Sequence, residues 1–225
     1  MDCILNSYFL IQTSVFLSQL FSEPLLFLVG LVAMVLSITI HEFSHALVAH
    51  WQGDDTPESQ GRLTLNPMAH IDLFGLLFLL VAGFGWGRPV IFNPYNLRAR
   101  RWGPVLVGLA GPLTNIIAFF AFGFLLRLSM RSWGLSADNY LVMFFEALAV
   151  LNLSLAIFNL IPIPPLDGSK ILWAIIPLHL EPVRLWLERF GTWLLLALVL
   201  LDMSGLSIFR PIFAFFFGLA ERLFT

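Results

Sequence analysis

The sequence predicts an all-α integral membrane protein, a polytopic helical bundle of about five to six transmembrane helices with a re-entrant segment and a short β-like surface element. Three observations predict it. Hydrophobic residues make up 59% of the chain and charged residues 12%, whereas a water-soluble domain is about 25% charged. Mean hydropathy is +0.87, so water is not the main solvent. Apolar runs long enough to cross about 30 Å of hydrocarbon recur between short polar stretches.

Within the N-terminal stretch 1–22, residues 4–22 are apolar but dotted with Asn6, Ser7, Gln12, Thr13, Ser14, Ser18 and Gln19. A cleaved secretory signal opens with positive charge, yet the first basic residue is Arg62. The segment therefore reads as a mature N-terminal helix, spanning or interfacial. The first clear span starts after Glu23-Pro24, a favourable helix opening with Ser22 as a cap, and stops at Gly53. Arg62-Leu63-Thr64-Leu65-Asn66-Pro67 alternates as a short surface strand does. The apolar run Leu73 to Ala82 is too short to cross and is followed by Gly83, Gly85 and Gly87, which favours a re-entrant or interfacial segment. Trp102 to Leu126 and Leu141 to Leu160 are two further spans. Trp186 to Phe217 reads as a helical hairpin broken near Asp202 to Gly205, within a C-terminal unit of residues 186–225. With no repeat and no low-complexity tract, residues 1–225 form a single membrane-embedded domain.

Charge narrows function and orientation. Net charge is −2 and Arg98, Arg100 and Arg101 form the only basic cluster, which excludes a nucleic-acid-binding face. The single cysteine, Cys3, permits neither an internal disulfide nor a Cys-based zinc site. Arg62, Arg88, Arg98, Arg100, Arg101, Lys170, Arg184 and Arg189 fall on one side of the predicted spans, and Arg127 and Arg131 on the other. Positive charge concentrates on the cytosolic side, so the larger set marks the cytosol.

His41-Glu42-Phe43-Ser44-His45 is an H-E-x-x-H motif within the first span. At about 100° per residue the two histidines stand about 40° apart with Glu42 between them, so all three share a face. Two imidazoles can then bind one Zn²⁺ while the carboxylate faces the water that the ion polarises. Chance is a poor explanation: with 5 His in 225 residues, roughly 0.003 such matches are expected. Ionisable side chains inside a membrane helix are also costly and functional by default. From Pro24 to His41 the helix climbs about 25 Å, which puts the motif just beneath the cytosolic surface.

A hydrolytic zinc needs a third protein ligand and one open position. His50 points about 140° away from His45 and reads as interfacial. His70, Asp72, Asp54 and Asp55 follow the helix, and Asp167 lies far along the chain in NLIPIPPLDG. Parity favours the last. If residues 73–82 do not cross, two full crossings separate the motif from Asp167 and return it to the histidines' side. Pro162, Pro164 and Pro165 deny a regular helix there and Gly168 permits close backbone approach, as in irregular backbone lining a site. The bland alternative is a Pro-Gly turn with a solvated aspartate.

HEFSH on a membrane helix, followed in order by GRLTLNPMAHID, GWGRPV, GPLTN and NLIPIPPLDG, resembles the site-2 protease family of intramembrane zinc metalloproteases. The resemblance covers residues 25–190, the catalytic core, and is to compact members lacking PDZ and CBS domains. It implies one Zn²⁺ per chain held by His41, His45 and Asp167, with Glu42 as catalytic base. It also implies peptide-bond hydrolysis within or near the transmembrane helices of membrane-protein substrates in the bilayer, close to the cytosolic face, here of a bacterial inner membrane. Leu73 stands where relatives often carry proline.

Asn159 resembles a family asparagine near the active site, where an amide can contact the substrate or the developing oxyanion; otherwise it is a helix cap. Asn152 reads as an interhelical hydrogen-bond partner, and GPLTN as close packing or a helix kink. A membrane zinc transporter using His and Asp as transit ligands is the alternative, but it gives Glu42 no task. Substrate identity and oligomeric state are not written in the sequence.

Overall fold

The computed structural model describes residues 20–82 and 85–224. The expected N-terminal helix therefore falls mostly outside the described residues. The chain folds into helices: α1 (Pro24–Trp51), α2 (Thr56–Ser59), α3 (Leu73–Ala82), α4 (Gly103–Arg131), α5 (Tyr140–Asn159), α6 (Gly168–Ile175), α7 (Glu181–Leu201) and α8 (Arg210–Phe224). Among the described residues four helices are long and apolar enough to cross a membrane: α1, α4, α5 and Glu181–Leu206, which is α7 with its terminal turn. Helix α8 has 15 residues, fewer than the roughly 20 that span hydrocarbon. Helix α3 has 10, about 15 Å of rise, which agrees with a segment that enters without crossing.

Local chemistry sets the ends. Pro24, Pro104 and Pro182 occupy first-turn positions of α1, α4 and α7, where a missing N–H costs nothing and the fixed φ suits a helix. Asn139 caps α5 by accepting from Leu141 N at 2.9 Å. Helices α7 and α8 are separated by a break near Asp202. Asp202–Leu206 forms a π turn, Ser207 adopts a left-handed conformation, and Asp202 Oδ1 accepts from Phe209 N at 2.8 Å at the entry to α8.

Helices α1, α4 and α5 pack on one another, and α6 rests against α4. One apolar cluster joins Phe119 of α4, Ala149, Leu153 and Ile157 of α5, and Ala220 of α8. A second joins Ala49, Leu97 and Val107 at the end of α1 that carries the H-E-x-x-H motif. Leu28, Phe120, Phe124 and Trp193 face outward and exposed, as expected where the solvent is lipid. In hydrocarbon burial gives little drive, so close packing of small residues and interhelical hydrogen bonds hold the helices together.

The strand expected at 62–67 does not form; the segment is bends and irregular backbone. Arg62 and His70 are buried instead, the guanidinium on Ala69 O and His70 Nε2 on Thr64 O at 2.8 Å. Satisfying these polar heads on backbone carbonyls curls the segment on itself. Among the described residues extended pairing is confined to one antiparallel bridge, Ile71 with Gly87.

Asp54 ties the loop after α3 to the end of α1. It is fully buried and accepts from Asn93 N at 2.6 Å, Asn96 Nδ2 at 2.9 Å, Thr56 Oγ1 at 2.6 Å and Thr56 N at 3.2 Å. Burial alone would raise its carboxyl, but these donors outweigh it and hold the group below its ordinary value. A lowered carboxyl contributes stability above the ordinary range and loses it as pH falls through the folded value. Asp54→Asn is therefore expected to cost about 1–3 kcal/mol at neutral pH. Thermal unfolding followed against pH should show the gap to wild type closing once acid protonates Asp54; a gap that persists or widens in acid would exclude this role.

Candidate metal centre

The site forms where three elements meet. His41 and His45 lie one helical turn apart on α1, and Asp167 sits at the residue preceding α6, delivered by an irregular stretch containing a cis Pro164–Pro165 bond. Their donor atoms converge: His41 Nε2 to His45 Nε2 is 3.0 Å, and Asp167 Oδ2 is 3.2 Å from the first and 3.1 Å from the second. All three residues are buried.

The hydrogen bonds behind the rings decide which atoms face inward. His45 Nδ1 meets the carbonyl oxygen of Val107 at 2.6 Å; a carbonyl only accepts, so Nδ1 carries the proton and Nε2 presents its lone pair. For His41 the same result comes through a chain. Ser37 Oγ donates to Ala33 O at 2.8 Å, so it accepts from Asn152 Nδ2 at 2.8 Å, an amide that also donates to Leu148 O. Asn152 Oδ1 then accepts from Asn115 Nδ2 at 2.8 Å, which turns Asn115 Oδ1 toward His41 Nδ1 at 2.7 Å. Two backbone carbonyls thus fix two amides and one imidazole tautomer.

Two imidazole lone pairs and a carboxylate oxygen held 3.0–3.2 Å apart repel one another unless a cation lies among them. Ligands about 2.0–2.1 Å from a tetrahedral Zn²⁺ stand about 3.3–3.4 Å from each other, close to the observed triangle. The residues fit the ion. The Lys170 ammonium, 2.5 Å from Oδ1, favours the ionised form of the Asp167 carboxyl that a metal ligand needs.

Helix α4 approaches closely because of Gly111. A Cβ there would lie 2.5 Å from His41 Cε1 and 2.5 Å from His45 Nε2, so any side chain would push the rings apart. Glu42, on the same helix, is half-buried, and its Oε2 accepts from Val90 N at 3.1 Å. This anchors the carboxylate to the loop between α3 and α4.

The other ligand candidates are engaged elsewhere. His50 Nδ1 lies 3.0 Å from Asp55 Oδ1 and 3.2 Å from Glu58 Oε2 at the surface. Asp72 Oδ1 accepts from Gly75 N at 2.7 Å in the first turn of α3. Asn159 ends α5 with Nδ2 on Leu155 O at 3.0 Å, in its own helix. Asn152 is an interhelical hydrogen-bond partner, as its sequence position suggested. Asn115 is the functional residue that sequence reasoning missed: GPLTN read as packing, although an amide one turn beyond Gly111 on a buried helix face was the available signal.

A buried His, His, Asp triangle with a neighbouring glutamate in a bundle of apolar helices defines a membrane metallohydrolase. Comparison with known proteins agrees. The profile of Peptidase family M50 matches residues 127–201. YwhC of Bacillus subtilis is 42% identical over 164 residues, 71% of this chain and 74% of its own length. Rip2 of Mycobacterium tuberculosis is 34% identical over 163 residues, 69% of this chain and 59% of its own length. MJ0611 of Methanocaldococcus jannaschii is 33% identical over 181 residues, 75% of this chain and 86% of its own length. All three carry names that assign zinc metalloprotease activity by inference. No solved structure matches. The chain belongs to Peptidase family M50, the site-2 proteases, and is a zinc metalloprotease of the membrane.

Proposed function

We propose that this protease hydrolyses peptide bonds within or near the transmembrane helices of other membrane proteins, with His41, His45 and Asp167 holding the zinc and Glu42 as general base. The observation that carries the reading is the triangle of donor atoms at 3.0–3.2 Å, set into apolar helices beside a carboxylate on the same helix. Zinc, when bound, supplies a Lewis acid that brings the pKa of a water toward about 7. Glu42 takes the proton of the attacking water and returns it to the leaving amine. Val90 N–H holds Glu42 by one oxygen, which limits its swing. Residues 25–190 form the catalytic core and 186–225 a C-terminal helical hairpin. The excess of basic residues on one side, Arg98 and Arg184 among them, supports a site toward the cytosol of a bacterial inner membrane. Asn159, at the last turn of α5 before the proline-rich stretch, is a candidate substrate contact once its amide leaves Leu155 O.

A helical substrate has its carbonyls in the i to i−4 ladder and its faces covered by side chains, so the bond to be cut must leave the helix first. Cleavage is therefore expected to rise when Gly or Pro is placed near the cut site and to fall when such residues become Leu. The test is co-reconstitution with single-span proteins from the same genome, searching for release that depends on Glu42. Equal rates across the Gly, Pro and Leu series, at equal binding, would exclude local unwinding.

A further inference from the structure

Asp167 occupies the residue before α6, where an aspartate ordinarily accepts a backbone N–H of the first turn, a bond worth about 1 kcal/mol. It makes no such bond. Its two oxygens are divided instead. Oδ2 faces the two histidines at 3.2 and 3.1 Å, while Oδ1 accepts from Lys170 Nζ at 2.5 Å.

Lys170 is held to this task from three sides. It lies on the first turn of α6, three residues beyond Asp167, with its backbone N on Asp167 O at 3.0 Å. Its stem runs against α4 at Gly108, where an added Cβ would lie 2.6 Å from Lys170 Cδ. Its ammonium also stands 5.9 Å from the centre of the Phe92 ring, within reach of a cation–π attraction. An exposed lysine would roam; this side chain is 27% exposed and committed.

Carboxylates bind metals through one oxygen or two, and a hydrolytic zinc must keep one position for water. We propose that Lys170 is a positioning residue that holds Asp167 to the metal through Oδ2 alone, by engaging Oδ1 with a cation. Without it Oδ1 is free to turn onto the ion and fill the position that the reaction needs. The proposal rests on His41, His45 and Asp167 being the ligands, and its test separates the two claims.

The experiment uses full-length protein loaded with Co²⁺, whose visible absorption weakens as coordination rises from four to five or six, and compares wild type, Lys170→Met, Lys170→Arg and Asp167→Asn. Zinc cleavage is assayed in parallel, with monodispersity and helical content confirming folding. Lys170→Met is expected to keep one metal per chain, to lose cobalt absorption, to bind acetohydroxamate more weakly, and to cleave about 10–100-fold more slowly. Lys170→Arg keeps a cation on Oδ1 and should restore the wild-type spectrum and most of the activity. If Lys170→Met shows the wild-type spectrum and hydroxamate affinity, or if it simply loses the metal, the one-oxygen role is wrong. If Asp167→Asn leaves the cobalt spectrum unchanged, the ligand assignment itself fails, whatever Lys170 does.

Discussion

Asp167→Ala is expected to take zinc from about one per chain to near zero and to reduce cleavage to background. Asp167 supplies the only carboxylate of the donor triangle among the described residues, and its oxygen lies 3.1–3.2 Å from both imidazole nitrogens. Removing it leaves two histidines, fewer protein ligands than catalytic zinc sites use. It also strands Lys170, whose ammonium would lose its partner at partial burial. Metal content of purified protein, measured by mass spectrometry, decides the matter. Full zinc in Asp167→Ala together with loss in His70→Ala or Asp72→Ala would move the third ligand to the segment between α2 and α3.

Glu42→Gln is expected to separate metal binding from chemistry. The replacement is nearly isosteric, and Val90 N–H can still be satisfied by the amide oxygen that replaces Oε2. His41, His45 and Asp167 are untouched, so zinc should remain near one per chain. The amide cannot take a proton from water, and general-base catalysis contributes about 10²–10⁴ in rate, so cleavage should fall by at least that factor. Cleavage at the wild-type rate would remove Glu42 from the mechanism.

Much of the site was legible because its chemistry is local or topological. H-E-x-x-H needs only helical periodicity to place His41, Glu42 and His45 together. For Asp167 a count of crossings and a proline-rich break favoured the histidines' side, the family resemblance implied the ligand role, and Oδ2 lies 3.2 and 3.1 Å from the two histidine nitrogens. Less legible were the residues that act through others. Asn115 and Asn152 reveal their direction only through the carbonyls of Ala33 and Leu148 at the far end of the chain of bonds. Lys170 entered the sequence reading as one more cytosolic charge, because nothing in its spacing shows that Gly108 opens a path for its stem. The misread strand at 62–67 has a similar origin. Alternation reports which side chains avoid water, and here Arg62 and His70 are buried on the segment's own carbonyls, which no period-2 pattern encodes.

The most direct test places wild-type protein and a single-span substrate in sealed vesicles and follows substrate fragments and zinc movement together. The expected result is fragments cut within the membrane segment or its immediate flank, abolished by chelation, restored by added zinc, and formed with no zinc flux across the bilayer. Zinc flux with every substrate intact, or cleavage indifferent to chelation, would contradict it.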